Sequence, residues 1–145
     1  MPIKSILVPV DGTETAKGAM DAAFAIGRDL DAHVAVFHVR GDPKDAVPLL
    51  GEGMSGAMVE EMIGLAEDEA VDRAGKARGQ FDECLAAGNI PLTEAPPGPE
   101  GISAAWIEDV GREDELVARY GRFHDLIVVS RPTSKTEVSS LMTLN

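Results

Sequence analysis

The sequence predicts an α/β fold: an open parallel sheet with helices on both faces. Three observations carry this. Short, nearly continuous apolar runs recur at 3–10, 33–39, 102–110 and 126–129, and strands covered on both faces read this way. The segments between them repeat their apolar residues every three or four positions, the helical period. Runs and helical segments alternate, and that order calls for right-handed crossovers between parallel strands.

Taken in order, the first strand runs from Ile3 to Val10 and ends abruptly in ILVPVDGTET, residues Ile6 to Thr15. Thr13 is the expected N-cap of the helix behind it. Ala16, Met20, Ala23, Phe24, Gly27 and Leu30 mark that helix's apolar face. Asp31 and Ala32 make the turn into a second strand, His33 to Val39, HVAVFHV. Residues Arg40 to Gly56 hold Gly41, Gly51, Gly53, Gly56, Pro43 and Pro48, and read as a long loop.

A helical pattern returns from Ala57 to about Ala87, through Met58, Met62, Leu65, Ala66, Val71, Ala74 and Phe81. Its acidic run Glu67 to Glu69 is expected to face solvent. Gly75 and Gly79 each weaken a helix by ~1 kcal/mol relative to alanine, so a break near them would be no surprise. Met54, Met58 and Met62 recur every four residues, and core packing is the expected reason. The proline-rich stretch Asn89 to Gly101 is a surface connector, since helices and central strands exclude that much proline. Ile102 to Val110 is the third strand, Glu113 to Gly121 a short helix around Leu116, Val117 and Tyr120, and Leu126 to Val129 the fourth strand. A polar segment, Ser130 to Lys135, follows, and Glu137 to Leu144 begins another helix.

The 145 residues suit one domain with one core. Apolar residues make up 44% and charged residues 26%, which argues against disorder of the whole chain. Thirteen Lys and Arg against twenty-five Asp and Glu give a net charge of −12. So acidic a surface repels phosphates and anionic lipid, so neither nucleic acid nor a membrane is expected as a partner. The one cysteine, Cys84, rules out an intrachain disulfide and fits a reducing compartment. The apolar N-terminal run is too short for a signal peptide and is broken by Pro9 and Asp11, and no apolar segment reaches the ~20 residues of a membrane span. A cytoplasmic location is the expectation.

Ligands of open parallel sheets sit beyond the carboxyl ends of the strands, where strand order reverses. Asp11 stands at such an end. Its carboxylate suits a ligand hydroxyl or amine, and equally suits capping the following helix.

ILVPVDGTETA, HVAVFHV and EDVGREDELVARYGRFHDLIVVSR, in this order and spacing, resemble the universal stress protein family across essentially the whole chain. The resemblance implies a flavodoxin-like sheet of five parallel strands, found in homodimers or as tandem domains. Many members bind ATP and others do not. In those that bind it, the adenosine rests at the ends of strands one and two. The matching positions here are Pro9, Val10, Asp11 and Val39, with Ser130 and Arg131 beyond strand four.

Two departures follow. The family's phosphate pattern after strand four, G-x2-G-x9-G-S/T, places side-chain-free residues where backbone N–H groups must approach phosphate. The aligned positions here carry Ser130, Thr133, Thr143 and Leu144, no glycine follows Gly121, and Pro132 removes a donor. Ser130 and Arg131 could hold an anion only by side chain. The usual triphosphate cradle is therefore expected to be absent. Second, the fifth strand is missing from the sequence, which leaves four. The expectation is a single domain over residues 1–145, C-terminally incomplete and similar to the first half of a tandem member. The exposed edge of strand four would then be covered by a second domain or a second copy.

His33, His38 and His124 lack the spacing of a metal site, so no metal is expected. Ser130 lacks a nucleophile elbow, Cys84 lacks a CxxC partner and reads as packing, and no acid–base pair emerges. A phospho-accepting receiver domain shares this architecture, but Asp11 stands beside Gly12 and Asp109 falls late in strand three. The reading is a regulatory or interaction domain with no cofactor expected. The alternative is a nucleotide-binding stress protein, for ATP or AMP, with a divergent phosphate loop.

Overall fold

The computed structural model describes residues 3–41, 53, 55–93 and 101–131. Among these, β1 (Ser5–Val10), α1 (Glu14–Leu30), β2 (His33–Arg40), α2 (Gly56–Gly88), β3 (Ser103–Val110), α3 (Glu113–Gly121) and β4 (Leu126–Ile127) follow one another. The strands form one four-stranded sheet in the order β3-β2-β1-β4. Every pairing is parallel: Ser5 lies opposite His33, His33 opposite Ser103, and Ile6 opposite Leu126. The α/β architecture read from the alternating pattern is the one observed.

Side chains of successive strand residues point to opposite faces, and β1 divides its apolar residues accordingly. Ile6, Val8 and Val10 meet Ala16, Met20, Ala23 and Phe24 of α1 and Ala77 and Phe81 of α2. Leu7 faces the other way and joins Ala35, Phe37 and Leu116, with Tyr120 of α3 edge-on to Phe37 at 4.5 Å between ring centroids. Thus α1 and α2 cover one face and α3 the other.

The helix ends follow their local chemistry. Thr13 Oγ1 accepts from the Ala16 N–H at 3.2 Å, the N-cap expected there. Ser55 caps α2 in the same way, its Oγ accepting from the Met58 N–H at 3.2 Å. Asp31 and Asn89 close α1 and α2 in the left-handed conformation, at φ of 52° and 50°.

Several expectations need correction. α2 is continuous for 33 residues, unbroken at Gly75 and Gly79. At about 1.5 Å per residue it is about 50 Å long, while an eight-residue strand spans about 26 Å. The helix descends from the carboxyl ends of the strands. A Cβ placed on Gly12, at the top of β1, would lie 3.1 Å from the Arg73 carbonyl oxygen. Residues 56–72 therefore overhang the sheet. Met58 and Met62 are exposed rather than packed in the core, because no strand lies beneath them. Met54 falls outside the described residues. Glu67, Asp68 and Glu69 face solvent as expected. Leu30, assigned to the apolar face of α1, is exposed at its last turn. β4 is two residues long, although the Val128 N–H continues the ladder to the Leu7 carbonyl at 2.9 Å. The segment at 137–144, the positions Thr133, Thr143 and Leu144, and most of the 40–56 loop lie outside the described residues.

Candidate functional site

Strand order reverses at β1, which has β2 on one side and β4 on the other. α1 leaves β1 over one face, while α3 approaches β4 from the other, so a cleft opens between the carboxyl ends of β1 and β4. It has a volume of about 570 Å³ and is lined by Pro9, Arg112, Glu113, Asp114, Val117 and Val129.

The residues expected at this site divide between cleft and core. Pro9 forms part of the cleft wall. Val10 is only 4% exposed, and its carbonyl accepts a hydrogen bond from His38 Nδ1 at 2.9 Å, which fixes that proton on Nδ1. Val39 packs with Leu7, Phe37 and Leu116 on the α3 face. Asp11 is exposed, and its Oδ1 accepts from the Thr13 N–H at 3.0 Å and the Thr13 hydroxyl at 2.6 Å. It holds an Asx turn that positions the capping threonine, rather than capping α1 itself. Ser130 is half-buried and Arg131 exposed, just past β4.

Arg112, Glu113 and Asp114 were not singled out by sequence reasoning, although the run GREDE was visible. They belong to the site because β4 returns beside β1 and brings the start of α3 with it. Arg112 pairs with Asp114 at 3.1 Å and with Glu115 at 3.7 Å. Glu113, Asp114 and Glu115 fill the first turn of α3, where carboxylates complement the positive end of the helix dipole. This helix start therefore sets negative charge at the cleft, beside first-turn N–H groups that no side chain caps. Apolar walls with an acidic lip suit a neutral or cationic group better than a polyphosphate.

Several other polar groups among the described residues are engaged structurally. The Tyr120 hydroxyl donates to Asp109 Oδ2 at 2.9 Å, which raises the phenol pKa, and Asp109 Oδ1 accepts from the Val110 N–H at 2.8 Å. Both oxygens of Asp109 are thus occupied, which does not suit a phospho-acceptor. The Cys84 thiol lines a separate cavity of about 370 Å³ between α1 and α2 and donates to Asp21 Oδ1 at 3.2 Å. Burial, with the Asp21 carboxylate beside it, pushes this thiol up to about 11, so it stays protonated and unreactive at neutral pH. His33 is buried, with Nδ1 2.8 Å from Ser103 Oγ, and its pKa is lowered by burial and by nearby His124. Among the described residues, no three His, Cys, Asp or Glu side chains gather as a metal site, and no helix is long and apolar enough to cross a membrane.

A third cavity, of about 410 Å³, lies between α2 and the ends of β2 and β3, lined by Arg40, Val71, Ala74, Arg78, Trp106 and Glu108. Arg78 lies 5.4 Å from the Trp106 ring centroid and pairs with Asp82 at 3.1 Å. Its charge is already committed.

A family model described as the universal stress protein family matches residues 2–132. The universal stress protein UspA from Lactobacillus plantarum superposes with a TM-score of 0.60 at 21% identity, covering 99% of this chain and 92% of that one. A universal stress protein family member from Burkholderia pseudomallei superposes with a TM-score of 0.52 at 17% identity, covering 98% and 89% of the two chains. Among curated proteins, none matches this sequence. At these identities the structural likeness establishes a shared fold.

Proposed function

The chain belongs to the universal stress protein family, and on that premise we propose that it is a regulatory or interaction domain that does not hold a nucleoside triphosphate in the family's usual way. The acidic lip of the strand-end cleft carries this reading. Glu113 and Asp114 line the cleft together with Arg112, whose guanidinium is paired with Asp114, and no glycine occurs at 122–145. Close approach of backbone N–H groups to phosphate needs residues without side chains.

Calorimetric titration with magnesium ATP, together with assay of the denatured protein for retained nucleotide, tests the proposal. Neither heat of binding nor released adenine nucleotide is expected, and micromolar affinity would refute it. The second reading, a nucleotide site with a divergent loop, is favoured by exposed Arg131 just past β4. It requires the same titration to show binding that Arg131→Ala weakens.

The proposal includes a second copy of this chain, or a second domain of the same kind, at the β4 edge. Among the described residues β4 is the last strand on its side of the sheet, and Phe123, Ile127 and Val129 are exposed near it.

A further inference from the structure

The overhanging part of α2 is amphipathic without a sheet beneath it. At about 100° per residue, Met58, Val59, Met62, Ile63, Leu65 and Ala66 fall within an arc of about 160°. Met58 is 51% exposed and Leu65 62% exposed, while Val59 and Ile63 are half-buried. Residues 56–72 contain six acidic side chains and no basic one. Glu60 and Glu67 flank one border of this arc and Glu61 and Asp68 the other, each within about 60° of it, while Asp72 lies at the second border and Glu69 falls inside the arc where it nears the sheet, paired with Arg73 at 3.4 Å.

Large apolar side chains rimmed by charge mark an interaction surface, and methionine adapts its shape to a partner. The rim decides which partner. A second copy packed face to face would set these carboxylates against their own kind, and an anionic membrane would be repelled. We propose that this face docks a cationic amphipathic helix. Its apolar side would lie on the methionine stripe and its Lys or Arg side chains would meet the flanking carboxylates. The inference rests on the interaction-domain reading and names the class of partner.

The probe is a fluorescently labelled synthetic peptide of leucine and lysine, patterned as an amphipathic helix and titrated with the full chain by anisotropy. The expected result is saturable binding that weakens with salt. A scrambled peptide of the same composition, and a Met58→Gln/Met62→Gln/Leu65→Gln variant, should each bind at least about tenfold more weakly. Circular dichroism confirms that this variant, altered only at exposed positions, keeps its helix content. Glu60→Gln/Glu61→Gln, which leaves the apolar stripe intact, should flatten the salt dependence.

Equal binding of the scrambled peptide would overturn the proposal, since attraction to a chain of charge −12 would then explain everything. Unchanged affinity in the triple variant, or no binding of any peptide, would also overturn it. So would a native dimer that the triple variant loses in sedimentation, because the occupant would then be a second copy. Retained nucleotide alongside intact peptide binding would sink only the cleft reading. Absent peptide binding in nucleotide-free protein would sink only this one.

Discussion

His33 sits buried at the start of β2, against Ser103 of the neighbouring strand. Burial and His124 lower its pKa from the ordinary 6.5, so below that value the unfolded chain takes up the proton before the folded one does. Wherever the unfolded state binds more protons, stability rises with pH. The urea midpoint should therefore fall as the solution is acidified from about pH 7.5 to about pH 5.5, and His33→Gln should flatten that dependence. An unchanged slope in the variant would assign the effect to another group. Asp125 acts in a lower window. Its Oδ2 accepts from the backbone N–H groups of Lys4 and Ser5 at 2.9 and 3.1 Å, and these bonds lower its pKa from 3.8. Its contribution is complete at neutral pH and is lost only as pH falls below the ordinary carboxylate range, so the two groups do not confuse one another. The residue scale also shows how far a single position can be read. That an acid ends β1 was plain from ILVPVDGTET; that Asp11 spends its Oδ1 on Thr13 depends on the conformation of the Asx turn, which the residue types permit without dictating.

Among the elements, α2 departs most from sequence expectation. A Cβ added at Gly75 or at Gly79 would meet nothing within 4 Å, so neither glycine is needed for packing. Gly75→Ala and Gly79→Ala should each stabilise the protein by up to about 1 kcal/mol through the restricted unfolded backbone, as measured by equilibrium denaturation. A loss of stability in either variant would mean that α2 departs from regular helix there. The spacing of Met58, Met62 and Phe81 identified a helix but could not say where the sheet beneath it stops. Phe81 is fully buried and Met58 exposed on the same helix, because the first lies over strands and the second beyond their ends. The central strands were legible for the opposite reason: β1 and most of β2 are covered on both faces and read as nearly continuous apolar runs. Of the six residues lining the cleft, Pro9 alone was among the candidate positions. Pro9 and Val129 follow from the ends of such runs, whereas Arg112, Glu113 and Asp114 join them through the pairing of Ile6 with Leu126. That pairing spans most of the chain and leaves no local signature.

Over the whole molecule, charge is unevenly distributed, and this bears on self-association. The net charge is −12, with six carboxylates in residues 56–72, so most faces of two copies repel. Residues 116–131 run the other way, with Arg119, Arg122 and Arg131 against Asp125 alone. The β4 edge lies within that stretch. The opposite edge of the sheet is partly occupied, at the start of β3. The Thr93 N–H donates to the Ala104 carbonyl at 2.7 Å and the Ala104 N–H to the Pro91 carbonyl at 3.0 Å, so the connector pairs with β3. Among the described residues no strand pairs with the outer side of β4; such an edge favours a second strand, and Phe123 and Val129 add exposed apolar surface beside it. The chain should therefore associate through β4, with the dimer visible by sedimentation equilibrium. Phe123→Lys/Val129→Lys, at positions 79% and 64% exposed, should shift it to monomer with the circular dichroism spectrum unchanged. The Met58→Gln/Met62→Gln/Leu65→Gln variant should leave the dimer intact, because it alters the overhang and not the edge. A native chain that stays monomeric, or a lysine variant that keeps the dimer mass, would show that the β4 edge is not where copies of this protein meet.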